Sequence, residues 1–209
     1  MKAKPTSPVE AASPSPTDTR EQILDVGEKL LLERGYAGFS YQDIAEAVGI
    51  RKASIHHHFA AKEDLGAAIV ERARERLFER RGPVAGDAAG IRQQFDSFLR
   101  FFEKLALQGD RLCIGGRLSA DLSVLPETVR APFRGFTFDN GEWLGELFDA
   151  GQRLGVFKAD ASPADQALLL GAAVQGAVQV ARARGDVEYF RRIAQQLRRQ
   201  LLLAPQQQD

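Results

Sequence analysis

Cysteine occurs once in the 209 residues, and histidine occurs only as the run His56, His57 and His58. A single cysteine excludes an internal disulfide and fits a reducing compartment. The three imidazoles invite a metal site, but successive residues on a helix point about 100° apart and diverge from any one ion. Helical zinc sites use spacings such as i, i+4 instead, so neither a metal nor a cofactor is expected. There is no apolar run of membrane-spanning length. The opening MKAKPTSPVEAASPSPTD lacks the apolar core of a signal peptide, and the expected location is the cytoplasm. The 28 basic residues equal the 28 acidic ones, so any affinity for nucleic acid has to come from local charge placement. The chain has no Ser/His/Asp order, no phosphate-binding glycine loop and no metal-ligand spacing, so it does not read as an enzyme.

What is present is helix after helix, with no alternating strand of useful length and no internal repeat. Residues 1–17 are rich in Pro, Ser and Ala and cannot bury enough apolar surface to offset ordering, so a disordered tail is expected there. Thr19 with Gln22 reads as a capping box, followed by Ile23, Val26, Leu30 and Leu31 at helical spacing and a stop at Gly35. SYQDIAEAVG supplies a second start, Ser40 with Asp43, an apolar stripe of Ile44, Ala45 and Val48, and a stop at Gly49. RKASIHHHF makes another short turn through Ile55 and Phe59, and Leu65, Ile69, Ala73 and Leu77 line a longer helix after it. Two short helices about a glycine turn are the helix-turn-helix plan.

Residues 19–70 resemble the DNA-binding domain of the TetR family of bacterial transcriptional regulators. The resemblance is carried by GYAGFSYQDIAEAVGIRKASIHHHFAAKEDL, with Gly35 and Phe39 leading in and Lys62 and Leu65 closing. The family commonly has Tyr where this chain has His56, and often Ser where it has Arg51. From Ala47 to Lys62 there is no acidic residue. The resemblance puts Arg51, Lys52, Ala53 and Ser54 on a recognition helix facing the major groove, where Arg bridges a guanine edge. It implies phosphate contacts from His56, His57, Lys62 and the Ser40 helix end, which the helix dipole favours. Tyr41 either adds a phosphate contact or covers the turn, and His58, beside Phe59, packs inward. The plainer alternative for the run is a solvated helical face without a partner.

Beyond a glycine-rich break at 82–90 the aromatics crowd: Phe95, Phe98, Phe101 and Phe102, then Phe133, Phe136, Phe138, Trp143, Phe148 and Phe157. Most suit an ordinary helical core; in the resembling family this half encloses a ligand cavity. Candidate ligand or sensing residues are Cys113, Arg117, Phe102, Trp143 and Gln175. Arg111 and Arg117 flank Cys113, an arrangement that raises the reactive thiolate fraction; the segment is similar to the electrophile-responsive NemR-like branch of the family. A lone cysteine is otherwise a small buried hydrophobe.

Ser162, Pro163 and Asp165 open a helix that is apolar or small nearly all round, and Asp186 opens another with a stripe from Val187 to Leu201. Their surplus apolar surface predicts a homodimer through residues 163–203. The expected plan is all-α: the tail 1–17, a helix-turn-helix domain at 18–80, and a ligand-binding and dimerisation domain at 81–204. The function so implied is a repressor that binds a palindromic double-stranded operator and is released by a small molecule or electrophile. A helical interaction adaptor, or an enzyme using the histidines as acid-base groups, is the alternative.

Overall fold

The computed structural model describes residues 16–107 and 112–204. Among these the chain forms α1 (Pro16–Arg34), α2 (Tyr41–Val48), α3 (Lys52–His58), α4 (Lys62–Arg81), α5 (Ala88–Leu107), α6 (Ile114–Ala120), α7 (Glu127–Arg153), α8 (Pro163–Arg184) and α9 (Val187–Leu201). The only extended pairing among the described residues is one bridge between Phe157 and Leu202, so the all-α expectation holds. No described helix is long and apolar enough to cross a membrane.

Residues 1–15 of the expected tail lie outside the described residues. Helix α1 begins at Pro16, within the expected tail of 1–17, so Thr19 is not its N-cap. Proline suits a first turn because its φ is already helical and its missing N–H had no intrahelical partner there. At the other end Gly35 (φ +83°) carries the stop, its amide donating to Leu31 O at 2.9 Å.

Two cores share the molecule. Phe95, Phe148, Phe157 and Phe190 are fully buried among α5, α7, α8 and α9. Phe157 lies 5.3 Å from Phe95 and 4.6 Å from Phe148 between ring centroids, within the favourable aromatic range. The other core joins Ile23, Leu31, Ile44, Ile55, Phe59, Leu65 and Ile69 of the first four helices to Leu118 of α6 and to Val129, Phe133 and Phe136 of α7. The 27-residue α7 therefore serves both cores, Val129 to Phe136 on one and Trp143 to Phe148 on the other. Arg72 of α4 is buried against α1, with Glu28 at 2.7 Å, Asp25 at 2.9 Å and Glu21 at 3.2 Å. A buried cation needs this company, since an unpaired one costs several kcal/mol.

The apolar stripe of α9 is used inside the protomer: Phe190, Ala194, Leu197 and Leu201 are buried, and Arg191, Arg192, Gln195 and Arg199 face solvent. Surplus apolar surface is on α8, where Leu168 is 70% exposed and Leu169 50%, with Ala172, Gly176 and Val180 exposed in steps of four.

Candidate nucleic-acid interface

Local capping sets the two short helices. The Ser40 hydroxyl accepts from the Gln42 amide at 3.2 Å, and the Ser40 amide donates back to Asp43 Oδ2 at 2.8 Å. The Ser40 hydroxyl, which also donates to Asp43 Oδ2 at 2.6 Å, then the Ser40 amide, and Arg34 at 3.1 Å hold the Asp43 carboxyl below its usual range. Gly49, at φ +78°, ends α2 in the left-handed region that side chains rarely adopt. Helix α3 then sits on buried Ile55, with Phe59 as its buried C-cap.

That anchoring turns Arg51, Lys52, Ala53, His56 and His57 outward into solvent, with Ser54 and His58 half-buried. No ion pair engages Arg51 or Lys52 among the described residues. His56 Nδ1 faces the Ala60 carbonyl at 3.1 Å. A carbonyl only accepts, so Nδ1 carries the proton there, and the neutral ring offers a lone pair at Nε2. His57 stands edge-on to His58 at 5.5 Å between ring centroids.

Tyr41 and Lys62 are engaged internally. Tyr41 is 5% exposed, and its hydroxyl donates to Phe59 O at 3.0 Å, so it covers the turn. Burial, and then the charge of Asp64, push its hydroxyl pKa up to about 12. Lys62 donates to Tyr36 O at 2.6 Å and to Phe39 O, with its ammonium 4.2 Å from the Phe39 ring centroid. Burial holds that ammonium below its ordinary pKa. It ties down the turn between α1 and α2 with two of its three donors.

Of the five candidate ligand or sensing residues, Cys113 and Gln175 meet, and the others lie elsewhere. Phe102 is buried in the core, and Trp143 walls a cavity beside α5. Cys113 is the half-buried N-cap of α6; its Sγ accepts from the Gly116 amide at 3.3 Å and lies 3.6 Å from Gln175 Nε2 on α8. Arg111 lies outside the described residues. Arg117 leaves the thiol and reaches α1, donating to Leu32 O at 3.0 Å and Glu33 O at 3.2 Å. Four residues on, Asp121 Oδ2 accepts from the Tyr36 amide at 2.7 Å, under Gly35. The first contact satisfies carbonyls that α1 leaves open at its end; the second holds the start of the turn that Lys62 holds from the other side.

Nothing near Arg117 or Asp121 in the sequence announces this clamp, because its partners lie 84 and 85 residues away. Arg117→Met is expected to cost about 1–3 kcal/mol, the range for charged hydrogen bonds. The urea midpoint should fall with an unchanged slope; an unchanged midpoint would remove the clamp from the account of stability.

Residues 23–69 match the family model described as bacterial regulatory proteins, tetR family. The chain is 28% identical over 179 residues to the HTH-type transcriptional repressor DhaR of Mycobacterium sp. (strain GP1), spanning 83% of this chain and 89% of DhaR. It is 29% identical over 119 residues to the HTH-type transcriptional repressor NemR of Escherichia coli (strain K12), spanning 54% of this chain and 59% of NemR. A TetR-family transcriptional regulator from Agrobacterium tumefaciens superposes with a TM-score of 0.81 at 28% identity, over 90% of this chain and all of that one. The helix-turn-helix with its basic, solvent-facing second helix lies within the residues that match the family model, so residues 23–69 form a TetR-family DNA-binding domain, and the chain is similar over most of its length to DhaR and to the Agrobacterium regulator, both transcriptional regulators.

Proposed function

We propose that the protein is a cytoplasmic, homodimeric repressor whose two α3 helices enter successive major grooves of a roughly palindromic operator. Residues 18–80 would carry the DNA contacts, and residues 81–204 the dimer contacts and the site at which a small molecule or electrophile acts. The observation that carries this reading is the outer face of α3, where Arg51, Lys52, Ala53, His56 and His57 stand in solvent. The similarity to DhaR and NemR, both named as repressors, favours repression over activation. The exposed apolar stripe on α8 suits a second copy. For release, the effector has to bind the non-DNA conformation better, and the shift cannot exceed that difference in affinity.

The test is anisotropy of labelled DNA from upstream of the protein's own gene, titrated with protein at several salt concentrations. Specific binding that weakens steeply with salt is expected. Failure to bind any upstream fragment, or equal binding to every fragment, would sink the proposal. For the electrophile arm, N-ethylmaleimide should release DNA from the wild type and not from Cys113→Ser; equal release from both assigns Cys113 a structural role.

A further inference from the structure

A cavity of about 250 Å³ lies between the C-terminal end of α4, the middle of α5 and Trp143 of α7. Leu77, Phe98, Phe101 and Trp143 give it apolar walls, Arg80 and Arg81 give it charge, and no carboxylate lines it. The Arg81 guanidinium lies 4.8 Å from the Trp143 ring centroid and 5.5 Å from that of Phe98, and it donates to Asn140 Oδ1 at 2.7 Å. Arg80 lies 5.8 Å from the Phe101 ring centroid. No carboxylate pairs with either arginine among the described residues. Arg72, which is buried, has three carboxylates within 3.2 Å, whereas the half-buried Arg81 has none among the described residues. Burial, and then the charge of Arg80, push the Arg81 pKa down to about 10, which is the mark of a cation short of an anion.

We propose that this cavity binds a small organic carboxylate, its anionic end on the Arg81 and Arg80 guanidinium groups and its flat apolar body among Phe98, Phe101 and Trp143. A guanidinium fork matches a carboxylate in two parallel hydrogen bonds, and the aromatic walls accept a planar body. The cavity falls below the roughly 300–1,000 Å³ of drug-sized sites, so the ligand is a small metabolite, of the order of an aromatic acid. The inference rests on reading the protein as effector-responsive and names the effector's chemistry. Arg80 and Arg81 close α4, whose first residue, Lys62, holds the turn before α2, so an occupied cavity acts on the helix that ends beneath the DNA-binding face.

Trp143 is the sole tryptophan of the chain, so its fluorescence reports on the cavity wall itself. The free protein is titrated with sodium benzoate, with benzamide as a neutral probe of the same shape, and with benzylamine as a cation. Benzoate should give a saturable change below roughly 10 mM, and benzamide should bind roughly tenfold or more weakly, as loss of a charged hydrogen-bond pair implies. Benzylamine should give no saturable change. Arg81→Gln should weaken benzoate by a similar factor, and Arg80→Gln, a change at an exposed residue that leaves the fold intact, should weaken it less. The proposal is overturned by equal benzoate and benzamide titrations, by no saturable benzoate response, or by unchanged benzoate binding in both arginine variants. Because no DNA is present, failure here leaves operator binding untouched, and failure to bind an operator leaves the carboxylate titration readable.

Discussion

Arg51→Glu and Lys52→Glu should each abolish operator binding while leaving the melting temperature where it is. Both side chains are exposed and neither supports a contact inside the protomer, so the cost to folding stays within about 0.5 kcal/mol. The cost to binding is larger because the proposed dimer presents each change twice. A bidentate arginine–guanine contact is worth about 1–3 kcal/mol, so its loss from two half-sites removes about 2–6 kcal/mol, and the two added carboxylates repel phosphates besides. The neutral variants separate the roles. Arg51→Ala should relax sequence preference as well as affinity. If Lys52 meets a phosphate, Lys52→Ala should weaken all DNA alike and flatten the salt dependence by about 0.9 per protomer. Wild-type affinity in both glutamate variants would remove α3 from the interface; Lys104→Glu, at an exposed site on α5, is the control for net charge.

Legibility followed the distance between partners along the chain. The ends of α2, α8 and α9 were readable because cap and capped group lie within three residues: Ser40 with Asp43, Ser162 with Asp165, Asp186 with the Glu188 amide. The outward face of α3 was readable too, since Ile55 and Phe59 at i, i+4 fix which side is buried and so which side carries Arg51, Lys52 and His56. Lys62 was not, because a lysine opening a helix beside a basic run looks the same whether its ammonium meets phosphate or two carbonyls 23 and 26 residues back. Arg117 misled for the same reason: helical spacing placed it near Cys113, and folding took its guanidinium to the end of α1. Arg81 gave no local signal at all, since its lack of a carboxylate emerges only when α4, α5 and α7 come together. In α8 small and apolar residues run nearly all round, so periodicity could not say which side faces a partner. The fold separates them, burying Val178 to 2% exposure and leaving Leu168 at 70%.

That separation decides which substitutions test the dimer. Val178→Arg would force a charge into the protomer's own core and unfold it, so it cannot report on association. Gly176 is different: a Cβ added there meets nothing within 4 Å in the protomer, so Gly176→Leu should fold normally and clash only with a second copy. Leu168→Glu acts through charge, because the symmetry of a two-fold interface buries two unpaired carboxylates from one substitution. Each costs several kcal/mol once removed from water, and a loss of about 6 kcal/mol raises the dimer Kd by more than four decades. At micromolar concentration, light scattering should report the 23.0 kDa protomer for Leu168→Glu and twice that mass for the wild type, with the helical circular dichroism retained. Operator binding should fall with it, since a lone protomer holds one half-site and the salt dependence should drop to about half. A Leu168→Glu protein that stays dimeric and binds its operator as the wild type does would place the interface elsewhere than on α8.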